Sequence, residues 1–396
     1  MTRKRIKRIA FVCYLIALLT IAYGTTVIFR GRAIYGLLKS GRAIRGESTI
    51  EADTVLGYAP RPNSSWVKVF QSPPDVLYAY DRDRCRVSGR SEEPSGPFTF
   101  LFLGCSFTHG DACPFEETYP SLVSDHFGAK CRNRGFAAYG LSQMVLIAER
   151  VIPDTKPTHV FAQYSPWIVD RGMSHFAPTL STKKPQPFFY STPDGSVHLH
   201  PPPYAACRVR PHVAAYQKTE RGVVDKLSFL FNIALPLYIN EDIRYSVYRA
   251  RRALRTIPPP AKDHLSVLSS GYGAIARICK QNGARLIVPV IGAPGQVPRE
   301  DDLEALRTTL GLELADCWSP LLQGLPDSER ATFLSRYAHF RGSPPQMVDN
   351  HPNGAAHAIV AQSLIRKLGA LLPQQVQENP DHRLEATSPS APKPQP

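Results

Sequence analysis

The chain has 396 residues, of which 43% are hydrophobic, enough for one large domain or two small ones with a substantial core. Its formal charge of +14 is concentrated at one end, since residues 1–46 contain ten Lys or Arg and no Asp or Glu. The remaining residues hold 37 basic and 33 acidic side chains, a net charge of only +4. This distribution argues against a nucleic-acid groove and favours a segment that flanks a membrane.

The amino-terminal segment has the composition of a membrane anchor. Residues 1–8 form a basic tail, and residues 9–29 are 21 residues without a charge. A helix of that length, at 1.5 Å per residue, spans the ~30 Å hydrocarbon layer. No small-x-small cleavage signal closes the segment, so we expect a retained single-pass anchor rather than a removed signal peptide. Basic residues are denser before the segment than after it, which predicts an extracytoplasmic, periplasmic globular part.

Residues 30–97 are predicted to form a juxtamembrane extension and an extended arm. Within the arm, residues 66–70 and 76–80 alternate in polarity, which predicts short strands packed on the main domain. The eight cysteines of the chain include no Cys-x-x-Cys pair, so they do not form a zinc-binding pattern. One or two disulfides can form in an oxidising compartment, whereas Cys279, on an apolar helix face, is expected to be a buried thiol.

From residue 98 the pattern changes to strands that alternate with helices. The predicted strands are Phe98–Leu103, Lys130–Asn133, His159–Ser165, Arg285–Ile291 and Ala331–Tyr337, and the predicted helices cover residues 117–127, 141–152, 263–281 and 354–372. This alternation at short spacing predicts an α/β domain over residues 98–372, with a mostly parallel sheet in the middle of three layers. Pro289 is expected to move its strand to an edge or a bulge, and Asn353 to cap the last helix.

Residues 173–262 interrupt this alternation and are predicted to be an insertion. The part between residues 227 and 254 is helical in character and mixes apolar, aromatic and basic residues. Two interpretations are open: a cap over the functional site, or an amphipathic surface that rests on the membrane or on a partner. Residues 373–396 contain six prolines and are predicted to be disordered.

The first core strand ends in a small, polar turn that contains a serine. Gly104, Cys105 and Ser106 follow the apolar run directly, and free backbone N–H groups at such a junction can bind an anion. The serine would lie at the carboxyl edge of the sheet, where open α/β folds place their sites. Since adjacent side chains of extended backbone face opposite ways, Cys105 should then face the interior. The alternative is a core strand followed by an ordinary turn.

A carboxylate and an imidazole lie two residues apart near the carboxyl end. Pro352 disfavours helix at His351, and in an extended loop the side chains of Asp349 and His351 face the same way. The carboxylate can then hold the imidazole in the tautomer that activates a serine hydroxyl. The alternative is a polar loop at a helix entry with no catalytic role.

Three blocks of the sequence, in this order, resemble the SGNH/GDSL hydrolase family. They are Gly104-Cys-Ser-Phe-Thr108, Asn133-Arg-Gly-Phe-Ala-Ala-Tyr-Gly140 and Asp349-Asn-His-Pro-Asn-Gly-Ala-Ala-His357. The resemblance covers roughly residues 98–172 and 285–372. It implies a three-layer fold of the SGNH or flavodoxin-like kind.

The resemblance also implies catalytic roles for four residues. Ser106 matches the nucleophile, and Asp349 with His351 matches the rest of the triad. The backbone N–H groups of Gly135 and of Ser106 itself match donors to the oxyanion, whose charge develops only in the transition state. No cofactor and no metal is implied.

Two positions depart from the pattern of that family. Cys105 stands where family members often have Asp, and residues 163–171 lack the asparagine that usually serves as an oxyanion donor. Trp167 falls closest to that asparagine, so its indole N–H is a candidate oxyanion donor, unless it only walls the pocket. Losing one such donor typically costs ~10²–10³ in rate, which leaves a weak enzyme or a transferase open.

Three further polar residues near the blocks receive structural interpretations. His109 and Asp111 follow Ser106 closely, but two residues without a third ligand make a weak metal site, so we expect solvated loop positions. His357 lies one helical turn beyond Asn353 and is expected to pack or cap rather than to act as a second base.

Together these features predict a membrane-anchored serine esterase that cleaves an acyl group from an envelope glycan, a lipid or a small molecule. An O-acyltransferase with the same triad is one alternative. A catalytically silent binding module of the same fold is another. No nucleic-acid partner is expected.

Overall fold

The computed structural model describes residues 3–39, 43–45, 50–70, 74–89, 96–178, 184–204, 235–323, 325–327 and 329–371. The predicted tail, residues 373–396, and part of the predicted insertion lie outside the described residues. The seven cysteines among the described residues are free thiols, and Cys279 is buried as predicted.

The described secondary structure comprises eleven α-helices and seventeen strands. The helices are α1 (Arg3–Lys39), α2 (Ser106–His109), α3 (Tyr119–His126), α4 (Leu141–Thr155), α5 (Pro166–Gly172), α6 (Leu235–Ala253), α7 (His264–Gln281), α8 (Glu300–Glu304), α9 (Ser319–Leu322), α10 (Arg330–Tyr337) and α11 (Gly354–Gly369). The strands are β1 (Ala43–Arg45), β2 (Ile50–Asp53), β3 (Gly57–Pro60), β4 (Ser64–Val69), β5 (Val76–Tyr80), β6 (Arg86–Val87), β7 (Thr99–Leu103), β8 (Lys130–Asn133), β9 (His159–Ala162), β10 (Phe176–Ala177), β11 (Lys184–Pro185), β12 (Phe188–Ser191), β13 (Val197–His200), β14 (Arg285–Val290), β15 (Glu313–Asp316), β16 (His339–Arg341) and β17 (Gln346–Asp349).

A nine-stranded sheet forms the centre of the protein, in the order β1-β4-β5-β6-β8-β7-β9-β14-β15. The five strands from β8 to β15 are parallel. Counted along the chain, their spatial order is 2-1-3-4-5, the order of a flavodoxin-like doubly wound sheet. The predicted α/β fold is confirmed. The order reverses between β7 and β9, and this switch point is where such sheets carry their sites.

Helices cover both faces of the parallel strands. Side chains of β7 alternate between two apolar clusters, as the period of two in a strand requires. Leu101 and Leu103 pack in one cluster with the buried faces of α4 and α7. Phe100 and Phe102 pack in the other with α3 and α11. The three predicted layers are therefore present.

The predicted arm joins the central sheet instead of only packing on the domain. β4, β5 and β6 pair antiparallel with one another, and β6 pairs with β8 through Arg86 and Asn133. The strands predicted over residues 66–70 and 76–80 are present as β4 and β5. This extension brings arm residues to the carboxyl end of β7.

Pro289 does not move its strand to an edge or a bulge, and that prediction was wrong. β14 lies inside the sheet, with β9 on one side and β15 on the other. The carbonyl of Pro289 accepts from the N–H of Tyr164 at 2.9 Å, so the missing N–H falls on the side of β9. Because β9 ends at Ala162, the strand loses little pairing there.

The predicted strand Ala331–Tyr337 was also wrong, because these residues form helix α10. Phe333 and Tyr337, four residues apart, are buried against α11 and contact each other at 4.9 Å between ring centroids. The strand at the parallel edge of the sheet is β15, which no sequence pattern predicted. By contrast, α11 is capped by Asn353 as predicted, with its side chain accepting from Ala356 N at 3.1 Å.

Helix α1 contains the candidate membrane span. Its stretch Ile9–Thr26 is long and apolar enough to cross a membrane, and none of it is buried in the protein. A signal sequence has the same length and composition. The region predicted as an insertion contains two short hairpins, β10–β11 and β12–β13, followed by α6.

Candidate active site

Ser106 lies where the first core strand gives way to a helix. β7 ends at Leu103, and after Gly104 and the N-cap residue Cys105 the chain enters α2 at Ser106. Glycine is required at 104 because a Cβ atom would lie 1.9 Å from Thr108 Oγ1. Ser106 is only 6% exposed. Among the described residues, neither its hydroxyl nor its N–H donates a hydrogen bond.

Cys105 is fully buried in the apolar core, as the alternation of extended backbone predicted. The Trp167 indole N–H donates to Cys105 Sγ at 3.5 Å. Gln163, in the stretch that lacks an asparagine, holds the same turn, because its Oε1 accepts from Thr108 Oγ1 at 2.7 Å. In this structure the indole N–H of Trp167 is therefore directed at the thiol, and its oxyanion role stays a prediction.

Asp349 and His351 make the contact that their spacing predicted. His351 Nδ1 donates to Asp349 Oδ1 at 2.6 Å, and the backbone N–H of His351 donates to the same oxygen at 3.0 Å. Asp349 is the last residue of β17, and His351 lies in the short loop before α11. Because Nδ1 carries the hydrogen that faces the carboxylate, Nε2 is the basic nitrogen of this imidazole.

Lys68 completes the surroundings of Asp349, a role that was not predicted from the sequence. Its Nζ donates to Asp349 Oδ2 at 2.7 Å, between side chains that are 16% and 8% exposed. The available signal was the alternation of β4, which places Lys68 on the same face as Trp66 and Phe70. Burial raises the pKa of Asp349, but the hydrogen bonds and charges of His351 and Lys68 outweigh burial and hold it well below its usual range.

Asp111 faces the other side of the His351 ring. Its Oδ2 lies 3.9 Å from His351 Nε2, so the imidazole sits between two carboxylates. Burial lowers the pKa of His351, but the hydrogen bond to Asp349 and the charges of Asp111 and Asp349 outweigh burial and raise it above 6.5. The charge of Lys68 acts in the opposite direction and lowers the pKa of His351.

His109 and Asp111 are not the solvated loop positions that we predicted. His109 is 2% exposed; its Nδ1 donates to Asp111 Oδ1 at 2.5 Å and its Nε2 accepts from the Tyr80 hydroxyl at 2.8 Å. Burial lowers the pKa of His109, in keeping with a neutral ring that accepts at Nε2. The prediction failed because β5 covers the ring with Tyr78 and Tyr80, a contact across a sheet that local sequence does not reveal.

Arg86 fixes the loop that follows α2. The guanidinium is fully buried, and it donates to the backbone carbonyls of His109, Gly110 and Cys113. It also lies over the Tyr78 ring, 4.5 Å from its centroid. No signal in the sequence around Arg86 indicated this role. The position of the helix that begins at Ser106 depends on a charge supplied by the arm.

Gly135 lies beside α2, as its predicted role requires, but its N–H has a partner. The N–H donates to Asn133 Oδ1 at 3.0 Å, and Asn133 Nδ2 donates to Thr108 O at 2.9 Å. A Cβ atom at residue 135 would lie 2.7 Å from His109 N, so glycine allows this close approach. Its role as an oxyanion donor stays a prediction.

Ser106 and His351 share one region of the structure, but no hydrogen bond between them is present among the described residues. The two are linked by Phe107, whose ring lies edge-on to the His351 ring at 6.0 Å and edge-on to Trp167 at 5.3 Å. In enzymes without substrate such catalytic bonds are often long and tighten only when substrate binds. The roles of Ser106, Asp349 and His351 therefore stay predictions, with the contact between the last two in place.

His357 packs in the interior, as predicted. Its Nδ1 accepts from Tyr119 N at 3.3 Å, and the two rings stack at 5.8 Å. Burial lowers its pKa to about 3. Within the part of the chain that the structure describes, no group of three or more His, Cys, Asp or Glu side chains is arranged to hold a metal ion.

Two substitutions beside His351 should move the pH dependence of activity in opposite directions. If neutral His351 is the base, activity rises with pH through its pKa. Asp111→Asn removes a charge that raises this pKa, so the rise should move to lower pH; Lys68→Met removes a charge that lowers it, so the rise should move to higher pH. The measurement is kcat/KM for a nitrophenyl ester between pH 5 and 9. The control variant is Arg82→Met, at an exposed arm residue that pairs with Asp83, and it should leave the pH dependence unchanged. Shifts in the same direction would contradict this electrostatic account.

Comparisons with known proteins complete the description of the site. No family model and no curated protein matches the chain. Among solved structures, it is similar to a G-D-S-L family protein from Desulfitobacterium hafniense (TM-score 0.34, 10% identity, 68% of this chain and 99% of that one). It is also similar to a catalytic mutant of an acetylxylan esterase from Geobacillus stearothermophilus (TM-score 0.35, 12% identity, 70% of this chain and 97% of that one). A third similar structure is a psychrotrophic esterase from a Pseudoalteromonas species (TM-score 0.34, 11% identity, 69% of this chain and 97% of that one). The chemistry of this chain must be inferred from its own residues.

Proposed function

We propose that the protein is a serine esterase of the SGNH type, which cleaves an acyl ester through an acyl-enzyme on Ser106. The observation that carries the proposal is the 2.6 Å hydrogen bond from His351 Nδ1 to Asp349 Oδ1, beside the helix that begins at Ser106. This bond selects the tautomer in which Nε2 is free to act as a base. Three sequence blocks that resemble the SGNH/GDSL family supply the same residues.

In the proposed reaction, His351 Nε2 accepts the proton of the Ser106 hydroxyl as the oxygen attacks the ester carbonyl. The same nitrogen then donates that proton to the departing alcohol, and a water molecule, activated by His351, releases the acid. The Ser106 N–H, which has no partner among the described residues, is assigned to the oxyanion. The N–H of Gly135 can donate to the oxyanion as well only if its hydrogen bond to Asn133 Oδ1 is broken. The indole N–H of Trp167 can do so only if its hydrogen bond to Cys105 Sγ is broken.

We propose that helix α1 anchors this esterase in a membrane, with the α/β domain on the outer, periplasmic side. The support is the apolar stretch Ile9–Thr26 and the denser basic cluster before it. An anchored enzyme acts on what the membrane or the envelope carries, so the substrate would be an acylated envelope glycan, lipid or small molecule. An O-acyltransferase would use the same triad with a sugar hydroxyl in place of water, and product analysis with a glycan acceptor separates the two.

A silent binding module is the second candidate, and two hydrogen bonds favour it. Gly135 N–H and the Trp167 indole, both predicted oxyanion donors, are bonded to Asn133 and Cys105 instead. A site that keeps these bonds with a ligand present would hold an ester without accelerating its cleavage.

A fluorophosphonate probe tests the esterase proposal directly, because it reacts with activated serines. It should label the wild-type chain and the Cys105→Ala variant at Ser106, and it should not label Ser106→Ala. Hydrolysis of nitrophenyl acetate should follow the labelling. Labelling that persists in Ser106→Ala and maps to another residue would defeat the serine mechanism. A folded wild-type chain that takes no label would favour the silent module.

A further inference from the structure

Helix α6 carries an apolar stripe that points away from the body of the protein. Ile239, Ile243 and Val247 are 39%, 59% and 55% exposed, and Leu254, in the turn after the helix, is 75% exposed. At about 100° per residue these four positions fall within roughly 80° of the helix circumference. A continuous apolar stripe of this kind on a surface helix indicates an interaction surface.

The opposite face of α6 is already packed, which fixes the direction of the stripe. Tyr248 is buried in a cluster with Phe188 and Ile257, and Tyr245 packs against the same cluster. The Tyr248 hydroxyl also bonds to His175 Nδ1 at 3.1 Å. The helix therefore cannot turn its stripe inward without losing these contacts.

The polar surroundings of the stripe are basic. Between residues 235 and 255 the sequence has five arginines and two acidic residues. Arg249, Arg251, Arg252 and Arg255 are exposed, and of these Arg251 lies at the border of the stripe. An apolar face bordered by arginines is typical of helices that lie in the interface of a bilayer, where the cations meet lipid phosphates.

The contact between α6 and α1 indicates which surface the stripe meets. The Tyr23 hydroxyl donates to Asp242 Oδ2 at 2.8 Å, and Tyr23 lies in the last turn of the candidate membrane span, Ile9–Thr26. Tyrosines concentrate where membrane-spanning helices leave the hydrocarbon. The bond therefore holds the first half of α6 at the level where the bilayer would end.

We propose that α6 lies in the interface of the bilayer that α1 crosses, with Ile239, Ile243, Val247 and Leu254 at the boundary of the acyl chains. Arg251, about 80° from the middle of the stripe and nearest to it of the exposed arginines, binds the phosphates of anionic lipids. The inference rests on the proposed anchor, because without α1 in a membrane nothing fixes α6 at its surface. It gives the domain a second attachment, which sets its orientation on the membrane.

Nitroxide labels on the full chain, placed in bilayer nanodiscs that contain phosphatidylglycerol, test the proposal. The background is Cys13→Ser with Cys207→Ser, because Cys13 is exposed and Cys207 lies outside the described residues, whereas the other cysteines are buried or partly buried. Labels at Ile243→Cys and at Ile16→Cys should be relaxed more by oxygen, which concentrates in lipid, than by a water-soluble nickel chelate. A label at Arg249→Cys, exposed about 120° from the middle of the stripe, should show the reverse preference.

The three labels separate failure of this inference from failure of the anchor. A water-like label at 243 with a lipid-like label at 16 would overturn the placement of α6 and keep the anchor. Water-like labels at both would overturn the anchor, and the placement of α6 with it. If the label at 243 is shielded from both reagents, the stripe contacts protein instead of lipid, and the placement of α6 in the bilayer interface is overturned. Val247→Cys should repeat the result of Ile243→Cys, and thermal unfolding of each variant establishes that it is folded.

Discussion

His351→Ala should lower kcat for ester hydrolysis by ~10⁶-fold, about as much as Ser106→Ala, because nucleophile and base act as one unit. The double variant should then be no slower than either single one. Asp349→Ala should cost less, ~10⁴-fold, since His351 keeps its nitrogen but loses the carboxylate that orients it. Steady-state hydrolysis of a nitrophenyl ester by the purified wild-type chain and by the four variants measures these constants.

The control for this series is His126→Ala, which removes an exposed histidine of α3 and should leave kcat unchanged. Each variant is first compared with the wild type by thermal unfolding, so that loss of fold is not counted as loss of chemistry. Wild-type turnover in a folded His351→Ala protein would remove this histidine from the mechanism. Losses that add in the double variant would show that Ser106 and His351 do not act as a unit.

Arg86→Met should lower the free energy of unfolding by about 3–5 kcal/mol, although it lies in an arm that precedes the α/β core. The substitution leaves three backbone carbonyls, those of His109, Gly110 and Cys113, without their charged donor. Bonds to a charged donor contribute about 1.5–3 kcal/mol each, and a buried acceptor without a partner loses its hydration as well. The expected change is smaller than the sum of three such bonds, because the variant no longer bears the cost of burying a charged guanidinium. Urea unfolding of the full chain in detergent gives the change in midpoint.

Two variants bracket the Arg86 prediction. Arg86→Lys keeps the charge but not the planar fork that reaches several carbonyls at once, so it should lose an intermediate amount. Arg82→Met, at an arm residue whose side chain is 84% exposed, should change stability by less than about 0.5 kcal/mol. An Arg86→Met protein as stable as Arg82→Met would mean that the loop after α2 is held without the guanidinium.

Local sequence was sufficient for the elements whose side chains follow one clear period. The apolar run before Gly104 and the period of the segment from Leu141 predicted β7 and α4, because burial on a strand or a helix face leaves that period in the sequence. The contact between Asp349 and His351 was also local, since it depends on two residues in one loop. These parts needed no knowledge of the tertiary structure.

The parts of the site that the sequence did not predict depend on contacts between distant segments. Lys68 reaches Asp349 across 281 positions of the chain, and Tyr80 reaches His109 from another strand of the arm. Neither residue lies in a motif, so its role depends on how the arm pairs with β8. Similarly, Phe333 and Tyr337 fit a short strand as well as a helix by sequence, and only packing against α11 selects the helix.

The bond between Lys68 and Asp349 also sets when the site can exist. Lys68 leaves the ribosome early and Asp349 near the end, and at about 5–20 residues per second their separation corresponds to roughly 15–55 s of synthesis. Until residues 349 and 351 emerge, Lys68 has no carboxylate and Ser106, the proposed nucleophile, has no candidate base. A nascent chain can therefore build most of the sheet while its candidate active site is still chemically incomplete.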